Sequence, residues 1–262
     1  MSQYKLIKSD TNKNSGYLKK RDYFFAQNDH FVPIVTEELA QIATNLPLCF
    51  IQDENGKFIL GVMQSLIEDK NFLVHPSGKW FTGYVPAHYR AYPFALFNSD
   101  SGESILGIDL ASGLFKENTT ADTTRFFTDT GEYEDFIKKL LHFLELKDKG
   151  LQKTQNAVDT IASVGILTPW EISIVEESGE KRKFKGMYRI DEAKLNDLLP
   201  AEFLKLRGVL SVIYTVLLSE HKLSNLTKLY NLHKKFEKEE APKQEEFDLD
   251  KFFAEQNDTL RF

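Results

Sequence analysis

Residues 71–97 read NFLVHPSGKWFTGYVPAHYRAYPFALF. Eight aromatic residues (Phe72, Trp80, Phe81, Tyr84, Tyr89, Tyr92, Phe94 and Phe97) alternate there with five chain-breakers, Pro76, Gly78, Gly83, Pro86 and Pro93. Proline fixes φ and donates no backbone hydrogen bond, so no long helix passes through this stretch. It must fold as short extended pieces and ordered loops.

The flanking chain supplies regular structure. Leu48-Cys-Phe-Ile-Gln52 and Phe58-Ile-Leu-Gly-Val62 surround Asp53-Glu-Asn-Gly-Lys57, and Asn55-Gly56 is a strong turn dipeptide, so this is a β-hairpin. Phe31 to Val35 is apolar but broken by Pro33, which confines it to a sheet edge or a strand start. Ser104 to Asp109 reads as a further strand. From Tyr133 the period changes: Tyr133, Phe136, Ile137, Leu140, Leu141 and Leu144 mark one apolar face of an amphipathic helix. Gly150 either ends that helix or bends it, since helix-like polar sequence continues to about Ala162. Trp170 to Val175 alternates with period two, turns at Glu176 to Glu180, and returns through Lys183 to Ile190 as a second hairpin. Asp191 is placed to cap a helix over Glu192 to Leu199. Phe203 to about Leu223 predicts a longer helix, apolar nearly all round and central in the core.

The class that follows is α+β in a single mixed domain. Its N-terminal half is β-rich with long ordered loops, and its C-terminal half adds the hairpin and helices. The expected boundaries are 1–232 for the domain and 233–262 for a charged, flexible acidic tail. In that tail Phe247, Leu249, Phe252, Phe253 and Leu260 are set among acids, so it reads either as a solvated end or as a short motif that docks.

Composition excludes several function classes. The 262 residues carry 33 basic and 39 acidic side chains, a net charge of −6, which argues against a broad nucleic-acid surface. The lone cysteine, Cys49, allows no intrachain disulfide and reads as a small buried hydrophobe in a strand. No apolar h-region opens the chain, and the longest apolar run, Gly208 to Ser219, is only about 18 Å as a helix against a bilayer core of about 30 Å. The expected location is cytoplasmic, with no membrane span. The phosphate-loop, dinucleotide-fold, zinc-protease and nucleophile-elbow motifs are all absent. The basic run Lys19-Lys-Arg21 lacks a glycine nest and reads as surface.

Two constellations remain. Arg90 lies between Tyr89 and Tyr92, and a guanidinium there either clamps an anion or pins an irregular loop to an internal acid. Trp80 and Tyr84 either stack on a ring or sugar or fill the core. Trp80, Tyr84, Arg90 and Tyr92 are therefore the candidate ligand-binding residues. His75 and His88, completed by Asp109 or Asp129, would form a two-histidine, one-carboxylate set for Fe(II). Nothing in the sequence requires that set, and no cofactor is expected. Adjacent acids such as Glu37-Glu38 point in different directions on any regular element and make poor acid/base pairs.

Lys79-Trp-Phe-Thr-Gly-Tyr-Val-Pro-Ala-His-Tyr-Arg-Ala-Tyr-Pro-Phe94 resembles the W-x-x-x-Y-[VI]-P-A-x-x-R-x-Y-P-F signature of the SapC-like proteins. Phe31-Val-Pro-Ile-Val-Thr-Glu37, Leu46-Pro47 and Asn71-Phe-Leu-Val74 resemble the approach to it. Arg125-Phe-Phe-Thr-Asp-Thr-Gly131 and Lys185-Gly-Met-Tyr-Arg-Ile-Asp-Glu-Ala-Lys-Leu-Asn196 resemble later family segments, with Phe127 and Thr128 departing from the pattern. The resemblance covers about residues 30–230. It implies a bacterial accessory or binding protein linked to surface-layer or envelope-associated systems, not the peptide-transporter permease that shares the name. The family has no established reaction. An enzyme with a site in 71–97, either an Fe(II)-type oxygenase or a peptide- or sugar-modifying enzyme, and an adaptor acting through the tail are the alternatives. The expected partner is a protein or a small-molecule ligand.

Overall fold

The computed structural model describes residues 3–19, 22–81, 83–98, 102, 104–175 and 181–238. Its elements begin with β1 (Tyr4–Leu6), α1 (Ser9–Asn12), β2 (Gly16–Leu18), β3 (Phe31–Pro33), α2 (Leu39–Ile42), β4 (Leu48–Gln52) and β5 (Phe58–Met63). Then come α3 (Ala87–Ala91), β6 (Phe94–Asn98), β7 (Ser104–Asp109), β8 (Phe115–Lys116), β9 (Thr123–Arg125) and the long helix α4 (Asp135–Ser163). Four strands follow: β10 (Leu167–Pro169), β11 (Ile172–Val175), β12 (Lys181–Phe184) and β13 (Tyr188–Ile190). Helices α5 (Glu192–Asn196), α6 (Pro200–Lys205), α7 (Leu210–Ser219) and α8 (Leu223–Lys238) close the described chain. The class is mixed α+β.

Two compact units divide the chain: Met1–Phe25 with Ala87–Lys149, and Ala26–Pro86 with Gly150–Phe262. The first holds two three-stranded antiparallel sheets, β1-β7-β6 and β8-β2-β9. Ile7, Tyr17, Phe94, Leu106, Ile108, Phe126, Ile137 and Leu144 form its core. Tyr17 meets Phe94 edge-on at 5.0 Å and stacks on Phe126 at 5.9 Å, so aromatic packing joins the sheets to one another. The amphipathic face read from Tyr133 onward is present: Ile137 and Leu144 are buried, with Leu140 and Leu141 packed beside them.

The second unit is built on the antiparallel sheet β10-β13-β4-β5-β3. The β4–β5 hairpin turns at Asp53–Gly56, where Gly56 takes φ +76°. The Asp53 carboxylate accepts from the backbone N–H groups of Asn55 and Lys57. An αL residue at this point suits glycine, which carries no Cβ to clash. Strand β3 lies at the sheet edge, as Pro33 requires, and Pro33 faces Gly61 on β5. Gly61 is obligatory there: an added Cβ would overlap the Phe31 ring and the Val32 carbonyl.

The second hairpin forms but is split. Outer strands β10 and β13 join the five-stranded sheet, whereas β11 and β12 make a separate two-stranded ribbon. Gly186 at φ +89° marks the break. The 176–180 turn lies outside the described residues, as do Lys20 and Arg21 of the basic run.

Three helix expectations are refined. Gly150 neither ends nor breaks α4, which runs unbroken for 29 residues. A glycine mid-helix costs about 1 kcal/mol relative to alanine. The reason for it here is close packing: an alanine Cβ would lie 3.0 Å from Val35 Cγ1. Asp191 caps α5 as expected, accepting from the Lys194 N–H, but α5 stops at Asn196. The helix expected over Phe203 to Leu223 is instead α6, a 3-10 turn at Leu206–Gly208, α7, and another 3-10 turn at Glu220–Lys222. Nor is α7 buried all round. Val212, Ile213, Val216 and Ser219 face inward, while Leu218 is 68% exposed. Helix α7 packs on α2, β4 and β13. Ser219 completes that contact: its Oγ accepts from the Leu48 N–H at 2.9 Å and donates to the Val216 carbonyl. Helix α8 carries the charged sequence from His233 to Lys238, and residues 239–262 lie outside the described residues.

Candidate functional site

The site is assembled from α4 outward. Thr154 on α4 donates to the Gly150 carbonyl and accepts from the Thr36 N–H at 2.9 Å. Lys153, one position before it, pairs with Glu37 at 2.8 Å. These contacts fix the 3-10 turn Thr36–Glu38. Adjacent residues diverge there, so Glu37 turns to Lys153 while Glu38 turns inward and is only 3% exposed. The Lys153 hydrogen bond holds the Glu37 carboxyl below the usual carboxylate range. Glu38 accepts from the Val35 N–H at 3.0 Å through Oε2 and from the Tyr84 hydroxyl at 2.8 Å through Oε1. A carboxyl group buried away from water needs such donors to satisfy its oxygens.

Tyr84 in turn anchors Trp80, whose ring N–H donates to the Tyr84 carbonyl at 3.0 Å. Trp80 also bridges Val74 through a single antiparallel pair. The two half-buried rings therefore stand in fixed positions and wall a cavity of about 320 Å³. Pro86, Ile42, Leu46 and Val62 complete its apolar lining, and Gln41, Thr44 and Asn45 give it polar groups. That volume is at the lower end for small-molecule pockets and suits a single ring or apolar side group. A preorganised aromatic wall with neutral hydrogen-bonding groups can hold such a group without ordering the loop on binding.

A second, larger groove of about 530 Å³ is lined by Thr36, Glu37, Lys153, Asn156, Lys205 and Val212, among others. Its two closest charged groups, Glu37 and Lys153, already satisfy each other.

The four residues singled out from the sequence fall in both units. Trp80 and Tyr84 belong to the second unit and are joined directly. Arg90 and Tyr92 belong to the first. Arg90 is exposed on α3, and its guanidinium lies over the Phe143 ring at 5.1 Å. Tyr92 stacks on Phe25 with ring centroids 3.9 Å apart. Burial pushes the Tyr92 hydroxyl up, with Asp109 adding to the shift.

His75 and His88 are likewise divided between the units. The His75 ring nitrogen Nδ1 accepts from the Ser77 N–H at 2.9 Å and pairs with the Ser77 hydroxyl. His88 is exposed beside Tyr89. Asp109 caps a 3-10 turn through the Ala111 N–H, and Asp129 pairs with Arg125 at 2.7 Å. Among the described residues no three His, Cys, Asp or Glu side chains come together to hold an ion. Cys49 is fully buried, its thiol 3.5 Å from the Met187 sulfur, and burial pushes the thiol far up. It is the small core residue the sequence indicates. No described helix is long and apolar enough to cross a membrane.

Glu38 is the residue that sequence reasoning missed. Its one local signal is the spacing Val35-Thr-Glu-Glu38, half of a capping box with valine where the hydroxyl belongs. The partner that gives it meaning, Tyr84, is 46 positions away.

A family model described as SapC matches residues 7–226 of the chain. No curated protein and no solved structure matches it. The match spans the turn at Glu38, the Trp80–Tyr84 pocket and both units up to the first turn of α8, and the chain belongs to the SapC family.

Proposed function

We propose that this SapC-family chain is a binding protein that seats one aromatic or apolar group of its ligand in the cavity walled by Trp80 and Tyr84. One observation carries the reading: both cavity-lining residues are held in place by hydrogen bonds, the Trp80 ring to the Tyr84 carbonyl and the Tyr84 hydroxyl to the buried Glu38 carboxylate. Rings that only fill a core do not leave an open cavity beside them. Gln41, Thr44 and Asn45 offer amide and hydroxyl groups to the polar part of the ligand. The family resemblance supports placing this binding role in a cytoplasmic accessory of surface-layer or envelope-associated systems.

The test uses N-acetyl-phenylalaninamide as the probe. Both tryptophans of the chain, Trp80 and Trp170, are in the second unit, and Trp80 lines the cavity, so intrinsic emission reports occupancy. With about 15 non-hydrogen atoms at ~0.3 kcal/mol each, the probe should half-saturate an unoccupied cavity near ~0.5 mM. Thr44→Trp, at an exposed position on the cavity wall, should abolish the response by filling the space. A probe that fails to change Trp emission, or one that does so equally in the Thr44→Trp protein, overturns the assignment.

A further inference from the structure

Helix α8 is described through Lys238, and its later turns lie against the loop that carries the cavity wall. Phe236 stacks on Phe81 with centroids 5.8 Å apart and meets the His75 ring at 4.8 Å. Phe81 is the immediate neighbour of Trp80. His233, one turn earlier on α8, bonds the Phe72 carbonyl at 2.8 Å and is buried. The later turns of α8 are therefore fastened to the 72–81 loop by two rings, His233 and Phe236.

Twenty-four residues follow Lys238, and their composition is unusual. Phe247, Leu249, Phe252 and Phe253 lie within seven positions, in a stretch of eight acidic and three basic residues. Eight residues separate Lys238 from Phe247, and the nine steps between them can span about 30 Å when extended. Phe236 touches Phe81, the chain neighbour of Trp80, which brings the cavity wall within that reach. The exposed Lys79 next to Trp80, and the exposed Lys235 on the last turn of α8, offer positive charge along the way.

We propose that the segment Phe247–Phe253 of the same chain occupies the Trp80–Tyr84 cavity, one of its phenylalanine rings entering between the two aromatic walls. The protein then carries an internal competitor for its ligand. This inference rests on the cavity being a binding site, as proposed above. Tethering by a short linker gives an effective concentration on the order of millimolar. A segment of modest intrinsic affinity therefore fills the site most of the time, and an external ligand must displace it.

The experiment uses the full chain in two forms, the natural sequence and Phe247→Ser/Phe252→Ser/Phe253→Ser, both checked for fold by circular dichroism. The probe is a fluorescently labelled synthetic peptide of residues 243–256, followed by anisotropy. The substituted chain should bind the peptide at least tenfold more tightly than the natural chain, and adding Thr44→Trp should abolish that binding. Equal affinity for the two chains, or no binding to either, overturns the proposal. So does binding that survives Thr44→Trp, which would place the segment elsewhere, for instance against the exposed Leu199, Leu204 and Leu218. A concentration-dependent dimer of the natural chain in sedimentation, lost in the substituted chain, also overturns it in favour of a second copy. N-acetyl-phenylalaninamide separates the two readings: if it enters both chains equally and Thr44→Trp blocks it, the cavity binds ligands and the internal competitor is absent.

Discussion

Replacing Tyr84 by phenylalanine keeps the ring, and so the cavity wall, and deletes only the hydroxyl that donates to Glu38 at 2.8 Å. A hydrogen bond to a charged group is worth ~1.5–3 kcal/mol. Glu38 is 3% exposed, so its carboxylate has little access to water. Tyr84 itself is half-buried, which lets some solvent in and places the cost in the lower part of that range, about 1.5–2 kcal/mol. Glu38→Gln should cost less, about 1 kcal/mol, because the amide oxygen still accepts from Val35 while its N–H can donate to a reoriented Tyr84 hydroxyl. Both changes act on one shared interaction, the hydrogen bond between Tyr84 and Glu38. The double variant should therefore cost about 1 kcal/mol less than the sum of the singles. Urea unfolding followed by tryptophan emission measures all four proteins, because both tryptophans lie in the second unit. With a slope of about 3 kcal/mol per molar urea, Tyr84→Phe should lower the midpoint by about 0.5–0.7 M. A loss below about 0.3 kcal/mol, or strict additivity in the double variant, would show that the carboxylate does not hold the ring.

Three further outcomes are expected. Ser219→Ala leaves the buried Leu48 N–H without its acceptor and should cost ~1–3 kcal/mol in the same urea assay, whereas an unchanged midpoint would mean that β4 finds another partner. Gly61→Ala forces a Cβ onto the Val32 carbonyl, which is backbone and cannot swing aside; a loss of at least ~2 kcal/mol is expected, and a neutral result would contradict the β3–β5 register. Burial and the nearby Lys79 hold His75 below its ordinary 6.5, so the folded state disfavours its charged form. Its contribution is whole above pH 6.5 and is lost as pH falls from there through the folded-state value. Between pH 7.5 and 5 the natural protein should therefore lose more stability than His75→Gln, and equal losses would refute the role of that ring against Phe236.

What could be read from the chain divides by range. Asn55-Gly56, Pro33 and Asp191 act within a few residues of themselves, and each does in the structure what its local chemistry demands. The aromatic density of 71–97 located one wall of the cavity through Trp80 and Tyr84. The opposite lining, Gln41 to Leu46, carries no local signal of that role. Glu38 escaped because its carboxylate is defined by Tyr84, 46 positions on, and its turn is pinned by Thr154, 118 positions from Thr36. The expected helix over Phe203–Leu223 failed for a different reason. Apolar residues persist through the region, but a 3-10 turn at Leu206–Gly208 and the non-helical Val209 interrupt the α-helix, and hydrophobic periodicity is blind to such a break.

The interleaving of the two units in the chain sets a timetable for synthesis. Lys5 pairs with Ile108 and Tyr17 with Thr124, so the first strands wait for roughly a hundred further residues before their partners exist. At about 5–20 residues per second on the ribosome, that wait is about 5–20 s. The β4–β5 hairpin can close as soon as it emerges, but Phe50 then waits for Tyr188 to extend the sheet. The nascent chain thus presents unpaired strand edges for seconds, and those edges are what a chaperone at the exit tunnel would shield. No single cut in the polypeptide releases either unit whole.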